Sequence, residues 1–164
     1  GGDGALTITG SLATSPATQT LTWTAVDENG DTGTRTRDVD LRLLQQTAFS
    51  FTGAWSSKSS SSASGGSVRS ASAAGRKASI TVTAEDIAVI APTGPDRGKA
   101  RMCLDGGACR TVDLYSSKAS PRRVVARWDG DATDEHTVTI TVLGTKASRS
   151  KGTRVDLDAL VTAG

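Results

Sequence analysis

The stretch Glu135-His136-Thr137-Val138-Thr139-Ile140-Thr141-Val142 decides the fold. Val138, Ile140 and Val142 fall on one face of a pleated strand, and Thr137, Thr139 and Thr141 fall on the other. Threonine suits the wet face because its branched Cβ packs well on a pleat without adding apolar surface. The same period of two recurs elsewhere. Ile80, Val82 and Ala84 alternate with Thr81 and Thr83, and Leu21, Trp23 and Ala25 alternate with Thr20, Thr22 and Thr24. Near the end of the chain, Val155, Leu157 and Ala159 alternate with Arg154, Asp156 and Asp158. No stretch carries the spacing of an amphipathic helix. Short alternating runs punctuated by Gly, Pro and Asp predict an all-β, antiparallel sandwich.

Composition agrees with this reading. The chain has 164 residues, of which 36% are hydrophobic and 18 are glycine. That suits one domain, or one domain and part of another, and excludes a disordered chain. The apolar runs are too short for a membrane span. Serine and threonine make up about a quarter of the residues, above average usage. Nineteen basic and seventeen acidic residues give a net charge of +2. The basic stretches Lys118–Arg127 and Lys146–Arg154 are interrupted by Ser, Ala, Val or Gly. They read as solvated edges and loops rather than a nucleic-acid stripe, so no nucleic-acid partner is expected. The opening Gly1-Gly2-Asp3-Gly4 has no basic segment followed by an apolar one, and reads as a mature or excised fragment.

Six aromatic residues are present: Trp23, Phe49, Phe51, Trp55, Tyr115 and Trp128. Their strand phases sort them. Trp23 travels with Leu21 and Ala25, and Trp128 with Val124 and Ala126, which places both inward. Phe49, Phe51 and Trp55 share odd positions and read as one core face. Tyr115 travels with Thr111 and Asp113, opposite Val112 and Leu114, and is expected outward. Between Trp55 and Lys77 lies the run SSKSSSSASGGS at 56–67. It reads as a flexible linker or a long loop of one sandwich. The aromatic strand before it needs a partner sheet downstream. The expected boundary therefore lies near Leu44 to Thr47, and the serine run is a surface loop.

From about residue 48 the chain resembles a galactose-binding-like jelly-roll module, of the kind appended to secreted bacterial hydrolases, peptidases and surface proteins. The resemblance rests on an ordered set: FSFTGAW at 49–55, SGGSVRSA at 64–71, Ala78–Ala84 and DRGKARMCLDG at 96–106. TVDLYS at 111–116, EHTVTITVLGTKASRSKG at 135–152 and VDLDALV at 155–161 complete it. The cysteine pair inside the LDG hairpin is not part of that pattern. Upstream, TLTWTAVDENGDTGTRTRDVDL at 20–41 is similar to the C-terminal half of a bacterial immunoglobulin-like repeat. The expected organisation is a partial immunoglobulin-like segment over 1–46 and a jelly-roll module over 47–164.

Three constellations invite chemistry. Asp27, Asn29 and Asp31 match the opening of a calcium loop, but the distal glutamate is missing, and Asn29-Gly30 is a strong hairpin signal. Asp129, Asp131, Asp134 and Glu135 offer four carboxylates to a hard cation. The competing reading is a solvated loop between strands, which the resemblance favours, although some galactose-binding-like domains hold a structural calcium. Cys103 and Cys109 flank Asp105-Gly106-Gly107. A three-residue loop there sets the cysteines directly opposite each other, in reach of a disulfide. A two-residue turn would offset them, and the alternative is two reduced thiols. Zinc is not expected, because the lone His136 cannot complete a four-ligand site.

Enzymatic readings find little material. His136 is the only histidine and reads as a locally bonded strand-start residue. Ser67 in Gly65-Gly66-Ser67 is no nucleophile elbow, and a phosphate-cradling Gly-Lys-Ser/Thr loop is missing. The expectation is a non-enzymatic extracellular module that attaches to a glycan or another surface component. Its ligand residues would be Tyr115 as platform with Asp96, Arg97 and Asp113. The rival expectation is a structural spacer or assembly subunit that associates with itself or with other domains of a larger secreted protein. An oxidised cysteine pair would suit the extracellular setting.

Overall fold

The structure, a computed structural model, describes residues 17–26, 32–131 and 133–164. One five-stranded sheet runs β1 (Ala17–Val26), β2 (Thr32–Gln45), β13 (Ala159–Ala163), β7 (Asp86–Thr93) and β10 (Ser120–Asp129). A second runs β3 (Ser50–Thr52), β6 (Lys77–Thr83), β11 (Glu135–Val142), β8 (Lys99–Leu104) and β9 (Ala108–Asp113). A smaller sheet holds β12 (Val155–Leu157), β5 (Ser67–Ala71) and β4 (Ser56–Ser59). Every pairing between these strands is antiparallel. The described residues contain no α-helix, only the 3-10 turn Gln46–Ala48.

The core forms where the expected apolar faces meet. Ile80, Val138, Ile140, Val142, Met102 and Leu104 from one sheet pack against Ile87, Val89, Ala126, Trp128 and Leu160 from the other. The alternating threonines of β6 and β11 lie opposite, and Thr81 and Thr137 hydrogen-bond across that face at 2.9 Å. Phe49 is buried, with Phe51 and Trp55 partly buried against the same core. Their ring centroids lie 6.5 and 5.2 Å apart in sequence order. They do not share one strand, because β3 ends at Thr52 and the chain turns at Gly53, whose φ is +83°.

Three expectations are corrected. The serine run is not a loop throughout: Ser56–Ser59 forms β4, paired to β5, and only residues 60–66 turn. A strand without large apolar residues forms because β5 supplies its ladder and its buried face. Val124 is not inward with Ala126 and Trp128. A register shift between Val124 and Ala126 breaks the alternation and leaves Val124 60% exposed. Asp156 and Asp158 are not on a wet face. Both are buried with Val155, Leu157 and Ala159, because β12 and its continuation are covered on both sides.

β2 pairs with β1 over its first part and with β13 over Leu41–Gln45. The 46/47 division thus falls just after a strand that belongs to the sandwich sheet. The phases expected for Leu21, Trp23 and Ala25, and the candidate calcium turn at Asp27, Asn29 and Asp31, fall outside the described residues or side chains.

Candidate functional site

Two loops at one end of the sandwich are stitched together by their backbones. The amide of Gly98 donates to the Arg154 carbonyl at 2.8 Å, and that of Lys151 to the Pro95 carbonyl at 2.8 Å. The buried Ser150 hydroxyl donates to the Arg97 carbonyl at 2.7 Å. Gly98 is required here, since a Cβ would collide with the Thr153 carbonyl. The result is a parallel bridge that sets Arg97 beside Arg154.

These two arginines close a ring of alternating charge with two aspartates. Arg97 pairs with Asp96 and, at 2.8 Å, with Asp156. Arg154 pairs with Asp96 at 3.2 Å and with Asp156 at 3.4 Å. Asp156 is 3% exposed and Arg97 11%. A carboxylate so far from water is tolerable only with cations against it, and Asp156 has two.

A hollow of about 300 Å³ is lined by Arg97, Arg154 and Asp156 of this ring and by Lys58, Ser60 and Ser62. Two further hollows adjoin it. One, of about 360 Å³, shares Lys58 and Arg154 with it and is lined by Trp55 and Arg76. The other, of about 440 Å³, shares Thr93 and Ser120 and is lined by Asp113, Arg123 and Val124. Linked by these shared lining residues, the three are called the trough below. Its serine wall is held from two sides. The Asp158 carboxylate accepts from the Ser64 amide at 2.9 Å and from the Ser64 hydroxyl at 3.1 Å. Arg122, at φ +48°, donates to the Ser62 carbonyl at 2.8 Å. Burial pushes the Asp158 carboxyl above its ordinary value, against the opposing pull of the Ser64 bonds.

The four residues expected to bind ligand reach the same end of the sandwich but separate into different tasks. Asp96 and Arg97 are spent in the ring. Asp113 lines the far hollow, accepts from the Tyr115 amide at 3.0 Å and lies 3.8 Å from Lys99. Tyr115 is half-buried, bridges to Gly94 through its backbone and lines none of the three hollows. Trp55, read from sequence as core, is only partly buried and lines the trough. Nothing local in the sequence marks Lys58, Arg154 or Asp156 for this place, beyond the two acids Asp156 and Asp158 in the otherwise apolar run at 155–161.

The hairpin forms in the expected register, with Leu104 opposite Ala108 and Cys103 opposite Cys109, and the cysteines are disulfide-bonded. The candidate cation loop is partnered locally. The Asp131 carboxylate accepts from the Thr133 hydroxyl at 2.7 Å and its amide at 2.8 Å, which lowers its pKa. Asp129 lies 3.6 Å from Arg127, which pairs more closely with Asp86 at 2.6 Å. Asp134 lies near enough to His136 to add to the raising of its pKa by Asp105. Among the described residues no group of three or more His, Cys, Asp or Glu is placed to hold a metal ion. His136 lies with Nδ1 2.8 Å from Asp105 and accepts from the Asp131 amide through Nε2 at 2.8 Å. The Asp105 carboxylate raises the His136 pKa.

No family model matches the chain, and no curated protein matches it. Solved structures do. A two-domain esterase active on acetylated mannans superposes over 76% of this chain, with a TM-score of 0.58 and 13% identity. A Paenibacillus xanthan lyase superposes over 72%, with a TM-score of 0.56 and 12% identity. This chain spans 36% and 12% of the length of those two proteins, respectively. A family 35 carbohydrate-binding module from Clostridium thermocellum superposes over 74% of this chain and 98% of its own, with a TM-score of 0.50 and 11% identity. Identities this low speak for architecture alone, and the architecture is that of a galactose-binding-like jelly-roll β-sandwich.

Proposed function

We propose that this chain is a non-catalytic, extracellular attachment module that binds a glycan along the trough. The observation that carries this reading is the trough itself: a preformed surface of hydroxyls and guanidinium groups on a pinned framework, with Trp55 at one end. A pyranose ring needs polar partners for its hydroxyls and an apolar face for its C–H groups, and this surface offers both. The match over nearly the whole length of a binding module supports the same reading. Its buried carboxylate, Asp156, is committed to Arg97 and Arg154, which suits anchoring rather than proton transfer. The disulfide suits an oxidising, extracellular setting. The test is affinity electrophoresis through gels containing a panel of soluble polysaccharides. Retardation by at least one, lost in Trp55→Ala, is expected. A folded protein retarded by none of them would overturn the proposal.

A structural spacer or assembly role has one observation in its favour. β1 is an outer strand whose ladder is made by β2 alone among the described strands. Such an edge can accept a strand from a neighbouring chain. The similarity of residues 20–41 to part of an immunoglobulin-like repeat supports the same reading. Concentration-dependent growth of the particle in sedimentation velocity is its signature.

A further inference from the structure

We infer that the trough selects an acidic polysaccharide, one carrying carboxylates along its backbone, over a neutral one; this rests on the glycan-binding reading above. The inference comes from an inventory of charge within the trough. Arg97 and Arg154 are matched one for one by Asp96 and Asp156 in the closed ring. Asp113, the remaining acid in the lining, faces Lys99. That leaves Lys58, Arg76 and Arg123, and none of them forms an ion pair among the described residues. The three are spread along the trough. Arg76 lines the Trp55 hollow, Lys58 lines that hollow and the central one, and Arg123 lines the far one.

A solvated lysine or arginine is ordinary on any surface. Three unpaired ones converging on a single trough are less so in a chain whose net charge is only +2. Clefts lined by one sign of charge concentrate ligands of the other sign. Cations set apart along a trough match a linear polymer with repeating negative groups better than a single anion, which would draw them to one point. Arginine adds planar, two-pronged recognition of a carboxylate. The serine hydroxyls of the central wall, Ser60 and Ser62, suit the sugar hydroxyls between the charges. A single-stranded nucleic acid would call instead for successive aromatic platforms, and the trough has one, Trp55.

The test is affinity electrophoresis of the wild-type chain and of Lys58→Ala/Arg123→Ala in gels containing polygalacturonate, β-galactan, mannan or single-stranded DNA, with circular dichroism to confirm folding. Polygalacturonate is expected to retard the wild type at least tenfold more strongly than either neutral polymer. The double variant should lose about tenfold, and 0.5 M NaCl should weaken the retardation, since exposed charge contacts are screened. Equal retardation by neutral and acidic glycans would overturn the charge selection and leave the glycan reading intact. Equal retardation by DNA, or an unweakened double variant, would overturn it as well. Retardation by no polymer would overturn both readings.

Discussion

Arg97 Nη2 and Asp156 Oδ2 meet at 2.8 Å, and they join the loop at 94–98 to β12, two segments distant in sequence. Each residue holds the other in a place neither would occupy alone. Asp156→Ala would leave Arg97 and Arg154 with only Asp96 of their two shared acids. Breaking a buried pair from one side costs about 3–5 kcal/mol, and the partial exposure of Arg154 places this loss at about 3 kcal/mol. Urea denaturation should show the midpoint falling with an unchanged slope. A double replacement, Arg97→Met with Asp156→Leu, should lose less than Asp156→Ala alone. If both variants matched the wild type, the ring would have no structural role.

The Cys103–Cys109 bond closes a loop with a sequence separation of 6. Chain entropy then assigns it about 2 kcal/mol, a modest share. Cys103→Ser/Cys109→Ser should remain folded and lose about that amount in chemical denaturation. Binding at the trough should not change, because neither cysteine lines it and the hairpin's contribution to the lining, Val112 and Asp113, lies at the other end of β9 from Cys109. Unfolding of the double variant at room temperature would contradict this account.

Asp158 gives a pH dependence whose sign can be worked out. Burial raises its folded pKa above the ordinary 3.8, so the native state binds this proton more tightly than the unfolded chain. The resulting stabilisation is fully present below about pH 3.8 and is lost as pH rises through the folded value. Asparagine carries no such charge and retains an oxygen for the Ser64 amide and hydroxyl. Asp158→Asn should therefore gain on the wild type as pH rises from 3.5 to 7, read from paired urea titrations. A difference that stays flat, or shrinks with pH, would mean that the Ser64 bonds outweigh the burial.

Much of this architecture is legible in the chain because strand patterning is local. β6 and β11 announce their buried faces within a few residues, and Asp105-Gly106-Gly107 fixes the register of the cysteine hairpin. What escapes the sequence is whatever depends on a distant partner. Asp156 and Asp158 alternate like wet-face residues, and nothing adjacent announces that Arg97 and Arg154 will meet the first and the turn inside the β4–β5 hairpin the second. Val124 follows the phase of Ala126 until a bulge resets it, and no local residue marks the bulge. Trp55 reads as core by its size and phase, and its partial exposure follows from the turn at Gly53. The trough is harder still. It joins Trp55 and β4, Arg76, the loop at 94–98, the end of β9, the start of β10 and Arg154, segments that only the finished sandwich brings together.

Gly98 is the point at which the trough can be tested without touching its lining. Its amide donates to the Arg154 carbonyl, and a Cβ at this position would run into the Thr153 carbonyl, which is backbone and cannot rotate away. Gly98→Ala must therefore push the two loops apart, which separates Arg97 from Arg154 and opens the ring around Asp156. Overpacking of this kind costs about 1–3 kcal/mol. Gly107→Ala is the control, since nothing lies within 4 Å of the added methyl group in the cysteine hairpin. Thermal melts should place Gly98→Ala well below the wild type and Gly107→Ala close to it. Affinity electrophoresis, run where both variants are folded, should show glycan retardation weakened in Gly98→Ala alone. If Gly98→Ala melts early but binds as the wild type does, the arginine ring supports the fold and not the trough.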